Sequence, residues 1–137
     1  MVLLTSLIMP TIKKVWVNGT FDVLHRGHIE LFKFAKSKGD HLIVGIDSDE
    51  RIKKNKGFTR PINTLEDRYF FLKCIKYIDE IRTFGSDREL RNMIASYKPD
   101  YLVVGSDWRD KIVIGAEFAE DILFFDRIGD FSTSKIL

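Results

Sequence analysis

Disulfides, a strong net charge and long hydrophobic runs are all missing from this 137-residue chain. Its single cysteine, Cys74, has no partner for an internal disulfide, which is typical of a protein in a reducing compartment such as the cytoplasm. The thiol falls in an apolar run that predicts a helix, so we expect it to be buried as a small hydrophobic group. The net charge of +2 is too small to predict nucleic-acid binding.

No hydrophobic run is long enough to cross a bilayer, which takes about 20 residues. The apolar start, residues 1–9, also lacks the basic flank and small-residue cleavage site of an export signal. We therefore expect no membrane partner. We interpret residues 1–12 as an N-terminal extension that could pack on a neighbouring molecule, and residues 13–137 as one domain.

What the chain does contain is an alternation of β-like and helix-like runs. Alternation of this kind predicts an α/β protein with a single Rossmann-like, doubly wound domain and a five-stranded parallel sheet. Ligands of such sheets bind beyond the carboxyl ends of the strands. Between the first two helix-like runs, residues 48–63 show no pattern and predict a polar loop that is functional or mobile. The β-like runs are residues 14–18, 41–47, 80–84, 101–105 and 121–125, and the helix-like runs are 27–38, 65–77 and 86–98.

The most informative segment, Asn18-Gly-Thr-Phe-Asp-Val-Leu-His-Arg-Gly-His28, joins the first β-like run to the first helix-like run. A glycine-bearing turn lets backbone N–H groups approach an anion, and a helix start presents unpaired donors with partial positive charge. His25 and His28 would lie on one side of the first helical turn. We favour a contact with phosphate. The alternatives are a structural pair at a helix start and a zinc site, for which the nearby sequence offers no third or fourth ligand.

The segment Gly19-Thr-Phe-Asp-Val-Leu-His-Arg-Gly-His28 resembles the signature of the cytidylyltransferase-like nucleotidyltransferase superfamily. Members include glycerol-3-phosphate and choline-phosphate cytidylyltransferases and the adenylyltransferase that makes ADP-heptose. The segment Phe131-Ser-Thr-Ser-Lys-Ile136 resembles a second signature of these enzymes, a Ser/Thr-rich turn that opens a late helix, and the likeness extends over residues 14–136. An anion could bind at that turn, although a plain N-cap is the ordinary interpretation of Ser and Thr there.

The resemblance implies roles for individual residues. His25 and His28 would contact the transferred α-phosphate, aided by Arg127 and by a lysine of the polar loop. A lysine is expected there because lysines offset the repulsion between two anionic substrates. We favour Lys56, with Lys53 and Lys54 as rivals. The expected nucleotide-binding residues are Gly19, Thr20, Phe21, Arg68, Gly105, Asp107, Ser132 and Thr133, and the expected acceptor-binding residues are Asp22 and Asp49.

Several of these residues also have plain structural interpretations. Asp107 could close a turn, and Asp22 and Asp49 could cap turns. Trp108 could stack on a ring or cover the core, and Arg60 could simply lie on the surface. We expect no resident metal ion, with Mg²⁺ bound mainly by the oxygens of the triphosphate.

The expected reaction is transfer of a nucleotidyl group from a nucleoside triphosphate to a small phosphorylated alcohol or sugar, with release of pyrophosphate. Arg127 and the Asp107-Trp108 pair resemble enzymes that use CTP and glycerol-3-phosphate, which is the pair we favour. The segment Lys56-Gly-Phe-Thr-Arg-Pro-Ile-Asn63 resembles ADP-heptose-type adenylyltransferases instead. A non-catalytic nucleotide-binding module and an RNA-binding domain are the alternatives of other classes. Family members commonly form homodimers, so we expect one here.

Overall fold

A five-stranded sheet runs through the protein, whose computed structural model describes residues 11–126. The strand order is β3-β2-β1-β4-β5, and every neighbouring pair is parallel. This confirms the predicted α/β fold with its five-stranded parallel sheet. The strands are β1 Lys14–Gly19, β2 His41–Asp47, β3 Glu80–Phe84, β4 Tyr101–Gly105 and β5 Asp121–Phe125.

The direction of winding reverses beside β1. The chain adds β2 and then β3 on one side of β1, and it later adds β4 and β5 on the other side. In open parallel sheets, a crevice forms beyond the carboxyl ends of the two strands where the order reverses. The ends of β1 and β4 are Gly19 and Gly105, so the crevice is expected next to these two glycines.

Four α-helices connect the strands, and three of them begin at a serine or threonine. Ser48, Thr64 and Ser86 each accept a hydrogen bond from the backbone N–H three residues ahead, which satisfies a donor that the first helical turn leaves unpaired. The helices are α1 Arg26–Ser37, α2 Asp49–Lys56, α3 Leu65–Lys73 and α4 Asp87–Tyr97, with short 3₁₀ turns at Ser106–Trp108 and Ala116–Phe118.

Helix α2 corrects the prediction of a polar loop over residues 48–63. Its only buried side chain is Ile52, so the helix has no apolar stripe for a periodicity argument to find. The signal that was present is the N-cap at Ser48, followed by acidic residues in the first turn and lysines in the last, a charge order that complements the helix dipole.

Side chains of β1 enter two separate hydrophobic clusters, because alternate residues of a strand point to opposite faces of the sheet. Val15 and Val17 pack on the face that also carries Phe32 of α1, and Trp16 packs on the opposite face with Ile94 of α4. All three β1 residues are at most 1% exposed. Burial on both faces is typical of central strands in parallel sheets, and it holds the end of β1 rigidly.

Helix α3 is shorter than the predicted run of residues 65–77. It ends at Lys73, and its only buried side chains are Arg68 and Leu72. Cys74 caps the end of the helix and is exposed, so the prediction of a buried thiol was wrong. Over residues 11–126, no helix has both the length and the apolar character needed to cross a membrane.

Candidate active site

A cleft of about 400 Å³ opens where the central strands of the sheet end. Four residues that the sequence analysis selected for nucleotide or phosphate contacts line it: Gly19, Thr20, Lys56 and Gly105. Trp108 lines it too and is 44% exposed, which suits stacking on a ring better than covering the core. The other lining residues are Asn18, Asp47, Arg51, Asn55, Phe84, Leu90, Val104, Ile112, Val113 and Ile114.

The two motif histidines form a stacked pair at the start of α1. Their ring centroids are 3.8 Å apart, with 25° between the planes. His25 is the N-cap, and its Nδ1 accepts a hydrogen bond from the Gly27 N–H at 3.0 Å. His28 Nδ1 accepts a hydrogen bond from the His25 N–H at 3.2 Å. Each ring therefore satisfies an orphan donor of the first turn, a reciprocal capping arrangement.

These hydrogen bonds determine which ring nitrogens carry protons. An Nδ1 atom that accepts from a backbone N–H is unprotonated, so a neutral imidazole must carry its proton on Nε2. Both His25 and His28 are thereby held as Nε2–H donors at the amino end of a helix. The backbone fixes the tautomer before any ligand binds, which is the kind of preorganisation that stabilises developing negative charge.

His28 is held in its neutral form. Burial lowers its pKa to about 4, and the neighbouring His25 ring adds to the shift because two charged imidazoles in contact would repel each other. At neutral pH, His28 therefore acts as an uncharged hydrogen-bond donor, and positive charge at the site must come from other groups.

The pKa of His28 predicts acid sensitivity of folding. In the unfolded chain the ring has an ordinary pKa of 6.5, against about 4 in the folded protein, so the unfolded state binds the proton more tightly. Stability contributed by this group is present above pH 6.5 and is lost as the pH falls from about 6.5 towards 4. In urea unfolding at about pH 7 and about pH 4.5, we expect the wild type to lose more stability than His28→Asn. Parallel losses in the two proteins would contradict this.

The Phe21 side chain packs against the histidine pair and does not line the cleft. Its ring is 7% exposed and meets the His28 ring edge-on, with centroids 5.4 Å apart. Phe21 has a φ of +49°, and a Cβ on Gly19 would lie 2.9 Å from its ring. Gly19 is thus needed for the close approach of this ring. The predicted nucleotide contact of Phe21 stays a prediction.

Asp22, which was predicted to bind the acceptor, is a buried residue held by protein donors, and its role towards the acceptor stays a prediction. It is 2% exposed, and its carboxylate accepts hydrogen bonds from Arg60 Nε at 3.0 Å and from the backbone N–H groups of Ile62 and Asn63 at 2.8 Å. Burial alone would raise the pKa of this carboxyl, but the three hydrogen bonds outweigh it and lower the pKa. Arg60 is accordingly a partner of Asp22 and not a free surface residue.

Arg68 is enclosed by protein, and its predicted nucleotide contact stays a prediction. The residue is 1% exposed. Its guanidinium donates to the carbonyl oxygens of Asn63, Thr20 and Asp47 and to the Asp49 carboxylate, at 2.7–3.1 Å. The side chain joins the loop after β1, the end of β2 and the segment before α3. Asp49, predicted to bind the acceptor, is occupied by this ion pair.

The structure separates the rival lysines of α2. Lys56 lines the cleft, whereas Lys54 lines a different cavity beside Arg88. Asp107 lies in the 3₁₀ turn after β4, and a Cβ on Gly105 would approach its carboxylate oxygen to 2.7 Å, so the glycine makes room for it. Arg127, Ser132 and Thr133 lie outside the described residues, and their predicted roles stay predictions.

The cleft residues that the sequence analysis did not select include Asp47, Arg51 and Asn55. Arg51 donates from Nε to Asp47 at 3.2 Å and from Nη2 to Asp87 at 2.6 Å, and its guanidinium lies 5.4 Å from the centre of the Phe84 ring. Burial raises the pKa of the Asp47 carboxyl, which Arg51 only partly offsets. Recognising α2 would have revealed Arg51 and Asn55 on one face, four residues apart.

The described part of the chain holds no group of three or more His, Cys, Asp or Glu side chains placed to bind a metal ion. Mg²⁺ beside phosphates is usually held by substrate oxygens and water, so its binding with the triphosphate stays a prediction.

Comparison with known families and curated proteins finds consistent matches. The family model described as cytidylyltransferase-like matches residues 16–128. The bifunctional protein HldE of Campylobacter jejuni subsp. doylei is 43% identical over 135 residues, which is 98% of this chain and 29% of that protein. The HldE protein of Helicobacter hepaticus is 42% identical over 125 residues, covering 91% and 26%. The chain thus spans less than a third of the length of these relatives.

Solved structures share the fold. The lipopolysaccharide core biosynthesis protein of Thermoplasma volcanium superposes with a TM-score of 0.65 at 24% identity, covering 89% of this chain and all of the other. Pantothenate synthetase of Thermus thermophilus gives a TM-score of 0.66 at 11% identity, covering 99% of this chain and 65% of the other. At these identities the likeness extends to the fold alone.

Proposed function

The chain belongs to the cytidylyltransferase-like family, and from this premise we propose that it transfers a nucleotidyl group from a nucleoside triphosphate to a phosphorylated acceptor. The observation that carries the proposal is the stacked His25–His28 pair, held as two Nε2–H donors at a helix start beyond the end of β1. Donors fixed in this way suit an anionic group that gains charge during reaction.

In the proposed reaction, a phosphate oxygen of the acceptor attacks the α-phosphorus of the triphosphate in line. A new P–O bond forms, the bond between the α-phosphorus and the bridging oxygen breaks, and pyrophosphate departs with the electron pair. The acceptor is already ionised, so the protein needs no general base and contributes alignment and charge stabilisation. His25 and His28 would donate to the α-phosphate, and Lys56 would supply positive charge from the end of α2. Mg²⁺ would enter with the triphosphate.

For the substrates, we infer ATP and a sugar phosphate in preference to CTP and glycerol-3-phosphate. The curated relatives are HldE proteins, which supports the ADP-heptose type of adenylyltransferase over the cytidylyltransferase that the sequence favoured. Residues 56–63, which resemble that type, lie against the motif: Arg60 and Asn63 both bind Asp22. One wall of the cleft, formed by Trp108 with Ile112 and Val113, is apolar and suits the face of a base.

Pyrophosphate release tests this proposal. ATP and CTP would each be combined with heptose-1-phosphate, glycerol-3-phosphate, choline phosphate and ethanolamine phosphate. We expect turnover above background only with ATP and the sugar phosphate. Tight nucleotide binding in calorimetry with no release from any pair would instead support the non-catalytic module. Light scattering on the same sample would test the expected homodimer.

A further inference from the structure

The cleft has two chemically different walls. On the β4 side, Val104, Ile112 and Val113 form an apolar surface beside Trp108. On the β2 side, Asp47, Arg51 and Asn55 form a polar corner above the Phe84 ring. The apolar wall suits a base. Phosphates suit Lys56, which lines the cleft, and the histidine pair at the start of α1, which is not among the lining residues. Neither the base nor the phosphates account for the polar corner, which leaves its ligand group to be assigned.

The corner is built rigidly. Arg51 is held between the Asp47 carboxylate and Asp87, and the exposed fraction of the side chain is only 17% for Arg51 and 15% for Asp47. The Arg51 guanidinium also makes a cation–π contact with the Phe84 ring. Arg51 Nε binds Asp47 Oδ2, and among residues 11–126 no donor reaches Oδ1. A fixed carboxylate oxygen is therefore left to accept a hydrogen bond from a ligand.

We infer that this corner, Asp47, Arg51 and Asn55, binds neighbouring hydroxyl groups of the acceptor's sugar. The inference rests on the proposed function and adds which residues select the acceptor. Asp47 Oδ1 accepts from one hydroxyl, and the Asn55 amide and the remaining N–H groups of Arg51 pair with the next one. The charges of Asp47 and Arg51 largely cancel for a ligand in the cleft. The pair therefore suits neutral hydroxyl groups, each of which can both donate and accept a hydrogen bond.

Other ligand groups fit the corner less well. A phosphate would meet the Asp47 carboxylate at close range, and repulsion between like charges is strong in a poorly hydrated cleft. A base stacked over the corner would cover the Asp47 carboxylate without donating a hydrogen bond to it. The carboxylate would then lose water without gaining a partner, which is unfavourable for a charged group. Hydroxyl groups are the class that satisfies the carboxylate, the guanidinium and the amide together.

Calorimetry with heptose-1-phosphate tests the assignment on the wild type and three variants. In Asp47→Asn the charge is removed at constant size, and we expect the Kd for heptose-1-phosphate to rise about tenfold, because a hydrogen bond to a charged group is lost. Asn55→Ala, at an exposed position of α2, should raise it severalfold. The Kd for ATP should change less than about twofold in both. Glycerol-3-phosphate, with fewer hydroxyl groups, should lose less affinity than the sugar phosphate.

Asp87→Asn is the matched control. Asp87 holds the same guanidinium from outside the cleft and is 72% exposed, so this variant removes one support of Arg51 and leaves Asp47 and Asn55 in place. Its affinity for the sugar phosphate should fall clearly less than that of Asp47→Asn. If Asp87→Asn and Asp47→Asn weaken binding equally, or if the loss falls on ATP, Asp47 acts only by clamping α2 and the inference is overturned.

The inference and the proposed function fail differently. If Asp47→Asn weakens sugar-phosphate binding but the wild type releases no pyrophosphate, the proposed function is overturned and the assignment of the corner is supported. Pyrophosphate release from the wild type with unchanged affinity in Asp47→Asn and Asn55→Ala would overturn the corner and leave the proposed function standing. A wild type that binds no sugar phosphate would overturn the inference.

Discussion

Replacing His28 by alanine should lower kcat by a factor of roughly 10² or more, comparable to the loss of one donor from an oxyanion hole. The bond from the His25 N–H to Nδ1 keeps the proton of His28 on Nε2, from which it would donate to the expected phosphate. The ring is neutral at pH 7, so the loss is that of a positioned donor and not of a charge. The measurement is pyrophosphate release at saturating ATP and acceptor.

His28→Asn separates this donor role from helix capping. An asparagine keeps an acceptor near the position of Nδ1 and can still bind the His25 N–H, but it has no donor where Nε2–H was. We expect it to be nearly as slow as the alanine variant. His41→Ala is the control, since His41 opens β2 at the opposite end of the strands and binds Tyr97. Normal turnover by a folded His28→Asn protein would limit His28 to a structural role.

Replacing Arg68 by methionine should destabilise the protein by about 3–5 kcal/mol, because several polar groups lose a fully buried donor at once. The carbonyl oxygens of Thr20, Asp47 and Asn63 lose a donor in a buried setting, and Asp49 loses its cation. The readout is the free energy of unfolding in urea, with an unchanged m-value indicating a true change in stability.

Arg88→Met provides the comparison for this effect. Arg88 is an exposed residue of α4, so its replacement should change stability by less than about 0.5 kcal/mol. The two variants also distinguish a bracing role of Arg68 from the nucleotide contact that the sequence suggested. If Arg68→Met keeps its stability but binds ATP weakly, the result would favour a direct contact between Arg68 and the nucleotide.

The central strands β1, β2 and β4 were predictable because each carries a short apolar run with a turn after it. Four of the five predicted ranges match the structure at both ends, and β1 extends one residue further, to Gly19. A strand that is buried on both faces must be apolar throughout, so composition alone identifies it. The expected position of the phosphate site rests on the same reasoning, since the end of β1 in a parallel sheet leads to the ligand crevice, and it stays a prediction.

The buried polar contacts could not be read from the sequence. Arg68 donates to Thr20 and Asp47, which are 48 and 21 residues away, and no local pattern marks an arginine whose partners are distant backbone carbonyls. Asp22 likewise depends on Ile62 and Asn63, about 40 residues later. Both residues have the types expected of a phosphate or hydroxyl site, so the sequence suggested a substrate role and gave no sign of these buried contacts.

The placement of β1 at the centre of the sheet has a consequence for biosynthesis. β1 is near the start of the chain, but its neighbour β4 comes much later; the Lys14 N–H binds an Asp100 carboxylate 86 residues away. At about 5–20 residues per second, a ribosome needs roughly 4–17 s to cover that distance. During this time β1 has an unpaired edge, and the histidine pair at its end lacks the β4 wall of the cleft. The nascent chain is therefore exposed to mispairing at its central strand, and a competent site forms only after most of the domain has been made.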